Sequence, residues 1–280
     1  MITNINWEMG LIIIFIALAA EYIDSTLGMG YGTTLTPLLL LLNYRPLQVV
    51  PAVLLSELIT GVLGGIIHHS AGNVNIKPKT LNPARIIRAV MNHGPIHAYK
   101  NGLPKHLKIA LLLASCSVIG TVLSVFIALN IPKFYLKLYI GILILIIGLI
   151  IIFTIKKNFS FSWKRVTFLG LIASFNKGLS GGGYGPLVTG GQLLAGINSK
   201  NAIGITALAE GLTCLVGVIM YITGTRQIDW CLAPYLAVGA VLSVPLSAIS
   251  VKKICSLNLK KIIGLLTISL GTLTLLKIIL

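Results

Sequence analysis

The residues of this chain that could do chemistry are four carboxylates, and all four stand in apolar sequence. Glu57 lies about a third of the way along the apolar span 48–70, and Glu210 takes the matching place in a later span. Glu21 and Asp24 precede a glycine-rich motif near the start of the chain. A carboxylate inside a bilayer is costly unless it is paired, protonated or wet, so it marks a pathway for ions or protons by default.

The glycine-rich motif occurs twice. Its first copy consists of Gly28, Met29, Gly30, Tyr31 and Gly32, and its second copy consists of Gly181, Gly182, Gly183, Tyr184 and Gly185. Glu57 corresponds to Glu210 at the same offset of 153 residues. A duplicated helix breaker inside apolar sequence, followed by a carboxylate, is typical of membrane transporters built from repeats.

The composition indicates a polytopic membrane protein. Hydrophobic residues make up 56% of the 280 residues, charged residues only 10%, and the mean hydropathy is +0.95, which excludes a soluble globular protein. Spans long enough to cross a bilayer are predicted at 48–70, 107–130, 133–155, 200–224, 230–250 and 259–280. The segments 9–43 and 165–198 are also apolar but contain the motifs, so each is predicted to form a broken, re-entrant helical hairpin.

The placement of Lys and Arg predicts the topology, because cytoplasmic loops are enriched in these residues. If both hairpins return to their own side, sixteen of the 22 basic residues fall on one face, including those of a basic cytoplasmic loop at 72–106. Each half then has three net crossings, so the second half is inserted upside down. We expect an all-α integral membrane bundle of two inverted repeats, 1–156 and 157–280, in the cell membrane, with both termini extracytoplasmic.

The motifs predict an anion site. A half-helix that restarts at membrane depth presents free N–H groups and the positive end of its dipole, and both attract anions. Glycine lets a ligand approach the backbone, and Thr33, Thr34 and Ser180 add hydroxyl donors to those of the motif tyrosines. The alternative is that the glycines only permit close helix packing. Duplication beside polar residues favours a substrate site at the repeat interface.

A carboxylate is a poor ligand for an anion, so the four acids predict a different role. Glu57 and Glu210, with Asp24 and Glu21, are expected to bind a coupling proton or sodium ion. The alternative is structural, with Glu57 and Glu210 accepting hydrogen bonds from the broken helices. Lys177 occupies the repeat position of Asp24 with the opposite charge, so it either pairs with Asp24 or adds its charge to the anion site.

The remaining residues predict no further chemistry. The net charge of +16 comes from residues at the ends of apolar spans, so we expect no nucleic-acid partner. The five histidines and four scattered cysteines show no spacing typical of a metal site, and no catalytic constellation is present, so we expect neither enzyme activity nor a metal nor a cofactor. The expected partners are a small anionic substrate, the coupling ion and the lipid bilayer, and the pattern is compatible with a homodimer.

The two motif regions also resemble a known family. Gly28–Thr36 and Ser180–Thr189, each opening one half of the chain, are similar to the TauE/SafE family of sulfite and organosulfonate exporters, also called the toluene sulfonate uptake permease family. The resemblance implies a transporter that moves sulfur-containing or carboxylate anions across the cytoplasmic membrane of bacteria or archaea. Two alternatives stay open: a transporter of protons, sodium or a divalent metal with Glu57 and Glu210 as ligands, and a membrane scaffold without transport.

Overall fold

The structure is a computed structural model that describes residues 7–42, 44, 46–78, 91, 102–128, 133–157, 159–180, 184–224 and 228–279. These residues form helices, with no strand among them. The helices are α1 (Trp7–Leu27), α2 (Tyr31–Leu41), α3 (Pro46–Ser70), α4 (Lys105–Ala128), α5 (Lys133–Phe153), α6 (Trp163–Ser180), α7 (Tyr184–Leu194), α8 (Ser199–Gly224), α9 (Ala233–Lys253) and α10 (Ser256–Ile279). Most of the predicted basic loop 72–106 lies outside the described residues.

Four of these helices are long and apolar enough to cross a membrane. The qualifying stretches are Trp7–Leu27, Gln48–Ser70, Ser199–Thr223 and Ala233–Lys253. The last three coincide with the predicted spans 48–70, 200–224 and 230–250, and α4, α5 and α10 occupy the predicted spans 107–130, 133–155 and 259–280. The chain is therefore an all-helical, multi-pass membrane protein.

The outward faces of the helices have the apolar character that lipid requires. On α9, the large side chains of Val238, Leu242, Leu246 and Ile249 recur every three or four residues, and each is roughly half exposed. The intervening small residues Gly239 and Ala240 are buried against the rest of the bundle. An exposed apolar surface of this kind would aggregate in water, whereas in a bilayer it is the face solvated by lipid.

The first predicted break occurs where its glycines stand, and the glycines of the second, 181–183, lie outside the described residues. α1 ends at Leu27 and α2 begins at Tyr31, while α6 ends at Ser180 and α7 begins at Tyr184. In the first break, Gly28 has φ +73° and Gly30 has φ +130°, a region that other residues rarely adopt. α1 itself has 21 residues and a length of about 30 Å, so it can cross a membrane alone. The return of segment 9–43 to its own side stays a prediction.

The two halves of the chain are interleaved. The most extensive helix contacts join α5 with α10, α1 with α9, α4 with α6, and α3 with α8. If α1 to α5 are exchanged with α6 to α10 in order, this set of pairs is reproduced, since α1 with α9 becomes α6 with α4. Each half therefore depends on the other for the burial of its helices. The opposite membrane orientation of the halves stays a prediction.

The crossing of α3 and α8 is one of several very close contacts between the halves. A Cβ atom added to Gly61 would lie 2.5 Å from Cα of Gly211, so the two backbones touch without a side chain between them. Small residues at such crossings are how membrane helices gain van der Waals contact and close approach. Whether the motif glycines serve packing of this kind or a substrate site stays a prediction.

We predict that Gly61→Ala destabilises the protein by about 1–3 kcal/mol, because the nearest atoms are backbone and the helices must separate to admit a methyl group. Thermal unfolding of the detergent-solubilised protein measures the effect as a lower Tm. Gly102→Ala is the matched control, since Gly102 has no described atom beyond its chain neighbours within 4 Å of its added Cβ. Equal Tm values for the two variants would contradict the described crossing.

Candidate functional site

The first glycine motif touches the beginning of the second half's short helix. The hydroxyl of Thr189 on α7 donates a hydrogen bond to the carbonyl oxygen of Gly28 at 2.8 Å. A Cβ atom on Gly185 would lie 2.7 Å from both the Gly28 oxygen and Cα of Met29. Residues more than 150 positions apart in the sequence therefore form one buried region, and both α2 and α7 begin there.

A buried polar network extends from this contact into α8. The hydroxyl of Thr189 lies 3.1 Å from that of Thr206, and the side-chain amide of Gln192 donates to Thr206 at 2.7 Å. All three side chains are at most 2% exposed. The Oε1 atom of Gln192 has no hydrogen-bond partner among the described residues. The network fixes the start of α7 against the first break.

The N-terminal end of α2 is occupied by carboxylate oxygens. The backbone N–H of Tyr31 donates to Oδ1 of Asp24 at 3.2 Å, so Asp24 acts as a cap for this helix. Oε1 of Glu57 lies 3.0 Å from the position that a Cβ atom on Gly32 would take. Both carboxyl groups therefore stand at the positive end of the α2 dipole, which stabilises a negative charge there.

Glu57 also links α3 to the second half. The thiol of Cys214 on α8 donates a hydrogen bond to Oε2 of Glu57 at 3.2 Å. Its two carboxylate oxygens thus face different elements, with Oε1 at the start of α2 and Oε2 at α8. Glu57 is 8% exposed, and its buried carboxyl group lies between the first break and the second half of the chain.

The other predicted coupling acids share this environment. Glu21 on α1 is 3% exposed and interacts electrostatically with Asp24, Glu57 and Glu210. The hydroxyl of Thr60 donates to the carbonyl oxygen of Ser56, and the Oε2 atom of Glu21 has no hydrogen-bond partner among the described residues. The structure therefore brings together the four acids that the sequence analysis singled out.

The two motif tyrosines are anchored by serines. Tyr31 is buried and its hydroxyl lies 2.8 Å from that of Ser56 on α3. Tyr184 is buried as well and accepts a hydrogen bond of 3.1 Å from the hydroxyl of Ser117 on α4. Ser117 in turn lies 3.2 Å from the hydroxyl of Ser174, which occupies the repeat position of Glu21. These contacts hold both half-helices at their first residues.

Part of the predicted site lies outside the described residues. Gly181, Gly182 and Gly183 are not described, and neither are the side chains of Thr33, Lys177 and Ser180. Thr34 is exposed, and its N–H donates to the Gly30 carbonyl oxygen at 2.9 Å as part of the first turn of α2. The choice between an Asp24–Lys177 pair and a role of Lys177 in the anion site stays a prediction.

Sequence reasoning also missed a buried histidine beside the first break. His68 is fully buried, with Nε2 3.1 Å from the carbonyl oxygen of Ser25 and Nδ1 3.1 Å from the side-chain amide of Asn73. The amide of Asn73 donates in addition to the carbonyl oxygen of Ala248 on α9. His68 therefore ties the ends of α1, α3 and α9 together. The pair His68-His69 ends an apolar span, and its sequence position does not reveal this burial.

We predict that Thr189→Val lowers the stability by about 1–3 kcal/mol, because it leaves the buried Gly28 carbonyl without its donor. The measurement is Tm in detergent. Thr272→Val is the matched control, since Thr272 is exposed and its hydroxyl bonds back to its own helix at the Ile268 carbonyl oxygen. A Tm for Thr189→Val equal to that of the control would contradict the contact between the two halves.

Comparison with known proteins agrees with this architecture. The family described as "Sulfite exporter TauE/SafE" matches residues 13–274. The chain is 25% identical over 252 residues to the "Probable membrane transporter protein YtnM" of Bacillus subtilis (strain 168), a match that covers 85% of this chain and 73% of that protein. No solved structure matches the chain significantly. Because the family match spans nearly the whole sequence, including both glycine motifs, the chain belongs to the TauE/SafE sulfite exporter family.

Proposed function

We propose that the chain is a secondary active transporter that moves a small anion, such as sulfite, thiosulfate, a sulfonate or a similar organic anion, across the cytoplasmic membrane. The observation on which this rests is the contact between the first break and the start of α7, in which Thr189 bonds to Gly28. It supports one interior site at which the N-terminal ends of two half-helices converge. Such ends bind anions through free N–H groups and the helix dipole.

The carboxylates at α2 support the anion assignment. Asp24 and Glu57 direct their oxygens at the N-terminal end of this helix, which is the arrangement a substrate oxyanion would adopt. A site that stabilises carboxylate oxygens offers the same donors and dipole to sulfite or a sulfonate. The description of the family, with sulfite as its named substrate, supports the same chemical class.

The transport cycle that we propose is alternating access between two inverted repeats. The interleaved packing of the halves and the excess of Lys and Arg on one predicted face support this arrangement. The crossing at Gly61 and Gly211 would be the pivot, since no side chains interlock there. The site at the repeat interface would then open to each side in turn.

Coupling to a proton or sodium ion is the role that we propose for the acids. Glu21 interacts electrostatically with Asp24, Glu57 and Glu210, and all of these but Asp24 are buried. Four neighbouring carboxylates cannot all stay ionised there without a cation or proton. A gradient of that ion would supply the driving force for the anion.

We predict saturable uptake of at least one labelled anion among sulfite, thiosulfate and a small sulfonate by proteoliposomes that contain the purified protein. An imposed pH or sodium gradient should drive accumulation, because the acids load the coupling ion. Liposomes without protein are the control. Absence of flux for all three anions under either gradient, with protein that is folded, would contradict anion transport and equally fits a scaffold that does not transport.

The cluster of acids also favours one rival, a cation transporter, and the double variant Glu57→Gln/Glu210→Gln separates the two proposals. We predict that it loses gradient-driven accumulation but retains exchange of labelled anion, because the anion site does not need the negative charges. Glu8→Gln is the matched control, since Glu8 is exposed on α1. Loss of cation binding with no effect on any anion would instead support the rival.

A further inference from the structure

Glu57 occupies a place that the proposed substrate needs. Oε1 of its carboxylate stands at the first turn of α2, beside Gly32, and the side chain reaches this position from another helix. Because Tyr31 at the N-terminus of α2 is held by Asp24 and Ser56, the Glu57 carboxylate can leave without unfolding the break. An anion and Glu57 cannot occupy the same end of α2 at once.

We propose that Glu57 competes with the substrate for the N-terminal end of α2. The Glu57 carboxylate occupies this end while it is ionised, and the side chain leaves it when the carboxylate takes up a proton. This inference rests on the proposed function and deepens it, since it names the proton as the coupling ion and gives the step by which proton and anion are linked. Proton and anion then cross the membrane together.

The surroundings of Glu57 favour proton uptake. Among the described residues, the titratable groups that face it include Glu21 of α1, Tyr31 of α2 and Cys214 of α8, and these three carry no positive charge. α9 also packs on α3, but its sequence contains no titratable residue between Tyr235 and Lys252. Arrival of an anion beside these acids adds a further negative charge, which strengthens the tendency of the cluster to bind a proton.

A second observation, the unpartnered carboxyl oxygen of Glu21, also points to an exchangeable ligand. It is nine-tenths buried, its Oε2 atom has no hydrogen-bond partner among the described residues, and it interacts electrostatically with Glu57. A buried carboxyl oxygen without a donor is normally satisfied by a proton or a bound ligand. In the described part of the chain, no three acids, histidines or cysteines are arranged to hold a metal ion. A proton requires only one carboxyl oxygen, so it fits this site.

The step balances in charge. A proton from the aqueous side binds one oxygen of the Glu57 carboxylate and converts it to the neutral carboxyl group. The neutral group loses its attraction to the positive end of α2, and the substrate anion takes the vacated place. After the site opens to the other side, the anion leaves, Glu57 releases its proton and the carboxylate returns to α2. One proton moves with each anion.

The inference predicts how anion affinity varies with pH. For the wild type, the apparent affinity should rise as the pH falls, by up to about tenfold per pH unit where Glu57 is ionised in the empty protein, because each bound anion requires one bound proton. For Glu57→Gln, the competitor is permanently neutral. Its affinity should equal that of the wild type at low pH and should not change with pH.

The experiment is calorimetric titration of the purified full chain with thiosulfate and with methanesulfonate between about pH 5 and about pH 8, where both probes stay ionised. Wild type, Glu57→Gln and the control Glu8→Gln are compared. The expected result is an anion affinity that depends on pH in the wild type and in the control, and an affinity that does not depend on pH in Glu57→Gln. A wild-type affinity that does not change with pH, or a Glu57→Gln affinity with the same pH dependence as the wild type, would overturn the inference. Neither result would contradict the proposed anion transport. No binding to the wild type or to Glu57→Gln at any pH would instead count against the proposed function itself.

A second measurement needs no variant and so does not depend on the folding of Glu57→Gln. Thiosulfate is added to the wild-type protein in weakly buffered solution, and the change in pH is recorded with the amount of anion bound. The inference predicts uptake of about one proton for each bound anion in the upper part of the pH range. Binding without proton uptake, or with proton release, would overturn it.

Discussion

The structure depends on one constraint, which is that a helix broken inside a membrane must find partners for its exposed backbone groups within the protein. At the first break, the N–H of Tyr31 donates a hydrogen bond to Asp24 on the preceding helix. The carbonyl oxygen of Gly28 accepts one from Thr189 in the other half of the chain. Neither half can satisfy this break alone. The interleaving of α1 with α9 and of α4 with α6 follows from the same requirement, because it surrounds the breaks with protein rather than lipid.

Charge is concentrated where the backbone is irregular. The end of α2 attracts negative groups, and the chain places Asp24 and Glu57 there while Glu21 stands nearby with an oxygen that no described residue satisfies. Such an arrangement is costly for a purely structural protein, since apolar residues would pack the same space without like-charge repulsion. This cost is explained if a proton relieves the repulsion and a substrate anion then takes the place of the Glu57 carboxylate. The glycines of the α3–α8 crossing, by contrast, have no acid between them and serve packing.

The sequence predicts the features that depend on local chemistry. Composition alone identifies the membrane as the solvent, and the first glycine run locates a break, since residues other than glycine rarely adopt the φ values at Gly28 and Gly30. The repeat offset also relates Glu57 to Glu210, whereas Ser174 and Lys177 stand at the repeat positions of Glu21 and Asp24. It does not reveal that Cys214 bonds to Glu57 or that His68 is buried against Ser25, because these contacts depend on which faces of distant helices meet. Thr189 could have been found, since it is the repeat equivalent of Thr36 in the same motif region.

The central claim is that the two glycine breaks form one anion site in the interior of the bundle. An electron cryo-microscopy structure of the protein with thiosulfate bound at about pH 5, where carboxyl groups begin to protonate, tests it most directly. The account predicts density for the anion at the first turn of α2, near Gly32 and Gly185, with the Glu57 carboxyl group displaced from its position there. Density only among the lysines at the membrane surface, with Glu57 still at α2, would contradict it.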